Sequence, residues 1–211
     1  MSVHAATADL TAPHAPTISR GADGPASVRI VVAYGFWIFL LSDIIMFSAF
    51  FAAYAVLSGE TAGGPAGREL FNLRNAGIET LCLLFSSYTC GLGILAATKR
   101  RIGGFYLSFA LTFALGATFL GFEIAEFAGM IALGAGPARS AFLSAFFSLV
   151  GLHGAHVTAG LIWLAFMVAQ IAVKGPRDFV LRRLLCFSLF WHALDIIWVA
   201  LLTLVYLMGA R

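Results

Sequence analysis

Charge is what this sequence has least of. Only 11% of its 211 residues are Asp, Glu, Lys or Arg, against roughly 25% in soluble domains. With 61% hydrophobic residues and a mean hydropathy of +0.94, that deficit excludes a soluble globular domain and places the chain in a bilayer. Proline is missing from every long apolar run. The six prolines fall in the N-terminal segment and in polar connections, as at Pro65, Pro137 and Pro176, so helices broken at mid-membrane are not expected. Cysteine is also scarce. Cys82, Cys90 and Cys186 lie in apolar stretches with no CxxC pair, which argues against a thiolate metal cage and leaves three small hydrophobes. A net charge of +3 is too slight to attract nucleic acid.

What remains is apolar, and it comes in five runs: residues 31–57, 80–98, 102–131, 141–173 and 184–208. Each is close to or beyond the roughly 20 residues a bilayer helix needs, so the fold class is all-α, a polytopic bundle of five transmembrane helices. The third and fourth runs exceed the hydrocarbon core and should tilt or project into the interface. Residues 1–28 are polar and contain proline, without the compact apolar core of a secretory signal. They read as a flexible cytoplasmic tail whose His4 and His14 face solvent, leaving 29–211 as the membrane domain. "TKRR" from Thr98 and "KGPRDFVLRR" from Lys174, with Arg20 and Arg29, put nine basic residues on one side against four on the other. The positive-inside rule then sets the N-terminus in the cytoplasm and the C-terminus in the periplasm. The tight second connection predicts that the second and third spans pack as an antiparallel pair. The first connection, "SGETAGGPAGRELFNLRN", reads as a surface loop able to touch a partner.

Ionisable residues inside the spans are the candidate functional groups, because each costs about 2.5 to 3.5 kcal/mol to insert and needs a partner. Asp43 stands near the middle of the first run, in "FLLSDIIMFSAFF". It can bridge two helices, face a cleft filled by lipid or another subunit, or carry protons. Glu123 and Glu126 lie three apart on one helical face near the end of the third span, where the headgroups should hydrate them. "GLHGAHVTAG" puts His153 and His156 on one face of the fourth span, with Gly151, Gly154 and Gly160 leaving room for a neighbouring helix. Their i, i+3 spacing with no intervening Glu is not that of a zinc helix. A bis-histidine haem would need His192 opposite and would leave one histidine of the pair over. Hydrogen bonding across helices is the expectation. In "FWHALDIIW" the carboxylate of Asp195 is placed to orient His192, and no nucleophile sits nearby to complete a triad. No catalytic, metal or cofactor site is read in this chain.

Several stretches together resemble subunit III of the haem-copper terminal oxidases, and within it the five-helix form found in bacterial cytochrome o ubiquinol oxidases. They are "GFWIFLLSDIIMFSAFFAAYAVL" from Gly35, "AGGPAGRELF" from Ala62, "LLFSSYT" from Leu83, "FEIAEF" from Phe122, "RSAFLSAFFSLVGLHGAHVTAGLIW" from Arg139 and "SLFWHALDIIWVALLTLVYLMG" from Ser188. The resemblance implies a non-catalytic inner-membrane subunit that packs on subunit I beside subunits II and IV, with haem and copper in subunit I. It also implies bound phospholipid and support of sustained proton uptake. Asp43 matches a mid-membrane acid facing a lipid cleft in seven-helix relatives, and His153, His156, His192 and Asp195 match paired polar positions. The first two helices of those relatives have no counterpart here, so their cleft does not transfer directly. A small independent transporter using the polar residues as its path is the alternative, although five spans offer no two-fold repeat.

Overall fold

The computed structural model describes residues 28–65, 67–175 and 178–209. The expected tail lies outside the described residues, except for Val28, which opens the first helix. In order the elements are α1 (Val28–Leu57), α2 (Gly67–Leu70), α3 (Leu73–Thr98), α4 (Ile102–Ala132), α5 (Ala141–Lys174) and α6 (Asp178–Leu201). The chain of α6 continues through a π-helical stretch, Leu202–Leu207. Five of these helices are long and apolar enough to cross a membrane. α2 is a single turn.

Two helices start earlier than the apolar runs suggest, α3 at Leu73 rather than residue 80 and α6 at Asp178 rather than residue 184. Hydropathy marks the hydrocarbon layer, whereas hydrogen bonding and capping set where a helix begins. Asn72 caps α3, its Oδ1 accepting from the amides of Arg74 at 3.1 Å and Asn75 at 3.4 Å. Ser140 does the same for α5, accepting from the Leu143 amide at 3.2 Å. At 34 residues, α5 is about 51 Å long and outreaches the hydrocarbon core.

α3 and α4 make the most extensive helix pair, as the short connection predicts. That turn closes by donating the amides of Lys99, Arg100 and Arg101 to α3 carbonyls, with Arg100 in the left-handed region at φ 53°. α3, α4, α5 and α6 close a four-helix ring, and α1 lies outside it against α5 and α6. Trp191 of α6 fills the space where α4 and α5 approach. A Cβ on Gly160 would fall 2.8 Å from its ring and one on Gly116 3.0 Å, so glycine is what admits the indole.

The first connection is largely exposed, as expected of a surface loop, but two of its residues fold inward. Gly67 and Phe71 are buried, and Phe71 stacks on Phe146 at 5.0 Å, Tyr206 at 5.1 Å and Phe142 at 6.2 Å. The Phe142 amide donates to Glu60 O at 3.2 Å. Phe71 therefore anchors the loop to the end of the ring, because its one large aromatic is kept from water by folding inward.

Candidate functional site

The intramembrane polar residues divide into three groups. The first joins α1 to α5. Asp43 Oδ1 lies 4.0 Å from His156 Nε2, with 15% of the Asp43 side chain and 19% of the His156 side chain exposed. His156 Nδ1 donates to Leu152 O at 2.8 Å, which leaves Nε2 facing the carboxyl. At 4.0 Å the two are an electrostatic contact rather than a hydrogen bond. Phe47 sits on the pair, its ring 5.2 Å from that of His156.

The second group was only half legible in the sequence. Glu123 and Glu126 project from α4 as anticipated, but Glu123 is 2% exposed rather than hydrated. Its carboxyl rests on α5, where a Cβ added to Gly154 would lie 2.6 Å from Oε1. A third acid, Glu79 of α3, is fully buried and within electrostatic reach of both. It was missed because it falls one residue before the apolar run. Tyr206, beyond α6, donates to Glu126 Oε2 at 3.1 Å. Both Glu79 oxygens, Glu123 Oε2 and Glu126 Oε1 have no hydrogen-bond partner among the described residues. The carboxyls face no Lys or Arg at ion-pair distance among the described residues. The Gly residues named in the sequence do make room for neighbours, Gly154 for Glu123 and Gly160 for Trp191, while Gly151 meets Phe127 at ordinary contact distance.

His153 is fully buried, and its ring nitrogens find no hydrogen-bond partner among the described residues. It does not bond across helices as anticipated. Instead it packs as an aromatic, 5.4 Å from Trp198 at a shallow tilt and edge-on to Phe119 at 5.7 Å.

The third group is His192 and Asp195. His192 is exposed and donates Nδ1 to Ser188 O of its own helix at 2.8 Å. Asp195 is half-buried beside Ser87 of α3 and within electrostatic reach of His192. Neither engages the histidines of α5. Helical phase accounts for this, since His192 sits on the outward face of α6 while Trp191 and Trp198 take the inward one.

Hydroxyl groups that drew no attention in the sequence tie the ring together. Trp191 Nε1 donates to Ser86 Oγ at 2.8 Å and Trp198 Nε1 to Thr80 Oγ1 at 3.0 Å. Thr89 and Thr112 hydroxyls meet at 2.9 Å between α3 and α4. The available signal was the Ser/Thr content of "ETLCLLFSSYT" opposite two tryptophans, since a buried indole requires an acceptor.

These features define a class: a polytopic helical membrane subunit whose buried polar groups join helices, with no group of three His, Cys, Asp or Glu suited to a metal among the described residues. A family model described as cytochrome c oxidase subunit III matches residues 17–210, and the chain belongs to that family. It is 51% identical over 177 residues to the cytochrome bo(3) ubiquinol oxidase subunit 3 of Pseudomonas aeruginosa, covering 84% of this chain and 85% of that protein. Over 175 residues it is 50% identical to the protein of the same name from Pseudomonas putida, covering 83% of this chain and 84% of that one. It is 41% identical over 175 residues to the quinol oxidase subunit 3 of Bacillus subtilis, covering 83% and 86%.

Proposed function

We propose that this chain is the non-catalytic third subunit of a bacterial ubiquinol oxidase and acts as a multi-pass inner-membrane component of its respiratory complex. The observation that carries this is the near full-length similarity to proteins named as that subunit. The relatives described above are quinol oxidase subunits and none is a transporter, so the transporter alternative finds no support.

Within that reading, haem and copper belong to subunit I, and this chain packs on subunit I beside subunits II and IV. The basic connections face the cytoplasm and the C-terminus the periplasm, with residues 1–28 as a cytoplasmic tail before the membrane domain. Asp43, His156, Glu123, Glu126, His153, His192 and Asp195 are structural or lipid-contacting residues, and Glu79 joins them. The mostly exposed apolar surface of α1 supports packing against subunit I or lipid, because Ile38, Leu41, Ile45 and Val56 all point away from the ring.

Affinity capture of this chain from detergent-solubilised membranes tests the assignment. A haem-containing complex that consumes oxygen with ubiquinol is expected to copurify. Capture of the intact chain without haem or oxidase activity refutes it.

A further inference from the structure

On the outward face shared by α3 and α6, polar groups sit at the depth of the acyl chains. His192 and Asp195 stand near the middle of the span Phe179–Leu207, and Ser87 and Tyr88 near the middle of Leu73–Thr98. The two helices are in register there, with Asp195 beside Ser87 and Trp191 Nε1 donating to Ser86 Oγ at 2.8 Å. This face is not satisfied by the chain itself. The exposed His192 ring spends Nδ1 on Ser188 O, which directs Nε2 away from its own helix. Asp195 is half-buried, and its Oδ1 has no hydrogen-bond partner among the described residues. Around the pair, Tyr88 is 65% exposed and Ile196 72%. A Cβ on Gly91, one turn along α3 from Ser87, would meet nothing within 4 Å.

Hydrocarbon cannot answer either group, because an acyl chain neither donates nor accepts a hydrogen bond and an ionisable side chain at this depth requires a polar partner. A second copy of the chain is poorly matched. Copies in one membrane are related by an axis along its normal, which sets Asp195 level with Asp195 and His192 level with His192, acid against acid. A helix of different sequence has no such conflict. We propose that the α3–α6 face docks a transmembrane helix of another oxidase subunit, which presents a hydrogen-bond donor to the Asp195 carboxyl and a polar side chain to His192 Nε2. Gly91 lets that helix approach closely. The face is distinct from the apolar outer surface of α1, and the inference rests on the reading of this chain as an oxidase subunit.

The intact complex, carrying the photoreactive residue p-benzoylphenylalanine in place of Tyr88 or of Ile196, provides the test. Both side chains are exposed and neither makes a proposed bond. After irradiation in the membrane and affinity capture, each probe is expected to cross-link to a transmembrane peptide of another subunit. With the probe at Tyr88, His192→Ala and Asp195→Ala should each lower the yield about threefold. Ile196→Trp obstructs the face with both polar groups intact, and because Ile196 is exposed it leaves the fold of this chain alone; it should lower the yield as well. Cross-links to lipid alone, or to a second copy of this chain, overturn the proposal. So does an unchanged yield in both His192→Ala and Ile196→Trp, neither of which alters a buried side chain. Haem measured in the captured sample separates the two levels of failure. Its absence refutes the oxidase assignment and this docking face with it, whereas haem accompanied by lipid-only cross-links refutes the face alone.

Discussion

At Asp43 the geometry turns a question about an isolated acid into one about a pair. His156 turns its Nδ1 proton to its own helix, which leaves Nε2 facing Asp43 in an electrostatic contact. Asp43→Asn supplies an amide donor in the same place and is expected to leave subunit content and proton-to-electron stoichiometry unchanged. Asp43→Leu removes the polar group facing Nε2 and should weaken retention of the subunit. Vesicle measurements of pumping separate the readings, and lost pumping in the Asn variant with normal subunit content would make Asp43 a proton carrier. At Glu126, Tyr206→Phe removes the single donor that this carboxyl receives within the chain, and subunit release on heating should move to lower temperature. His192 carries the opposite expectation. Its ring is exposed and satisfied by Ser188 O, so His192→Ala should not change the stability of the isolated chain. A loss seen only in the assembled complex would mark His192 as a subunit contact.

Among the elements, the helices that the sequence describes best are those whose ends coincide with a change in hydropathy. α4 and α5 were readable almost to the residue, because Arg101 and Ser140 mark where apolar sequence begins. α3 was not, since "LRNAGIE" is polar by composition yet helical by virtue of the Asn72 cap. Glu79 vanished from view for that reason, and with it the acid cluster. The outward placement of His192 was hidden for a different cause: α6 is apolar on all sides, so no stripe reveals which face meets the ring. Small residues carry that information instead. Gly160→Leu would drive a side chain into Trp191, whose ring is already 2.8 Å from a Cβ there. Such overpacking typically costs about 1 to 3 kcal/mol. The Leu variant should show reduced subunit recovery and altered tryptophan fluorescence; unchanged values would mean that α5 and α6 do not meet at this level.

For the molecule as a whole, the number of spans and every acid and histidine but Glu79 among those buried in them were legible, because membrane insertion imposes length and expels charge. How the polar positions group was not, because one acid of α3 and two of α4 must converge with a tyrosine beyond α6, and no single segment records it. Glu79, Glu123 and Glu126 meet only once α3 and α4 are paired. Orientation rests on the basic connections, and reporter fusions test it: those at Lys99 and Lys174 should report cytoplasm and one at Gly63 periplasm. The reverse pattern would invert the topology and place the α3–α4 turn on the outer side.

The position of α1 outside the ring bears on how the chain is made. It emerges from the ribosome before α3 and α4, yet its partners α5 and α6 emerge after them. More than 80 residues separate Leu57 from Ala141. At about 5 to 20 residues per second, α1 waits on the order of 4 to 16 seconds in the membrane before a docking surface exists. The α3–α4 hairpin needs no such delay, since its two halves are consecutive. Biogenesis therefore runs from the middle of the chain outward, with the first helix inserted serving as the last to be seated.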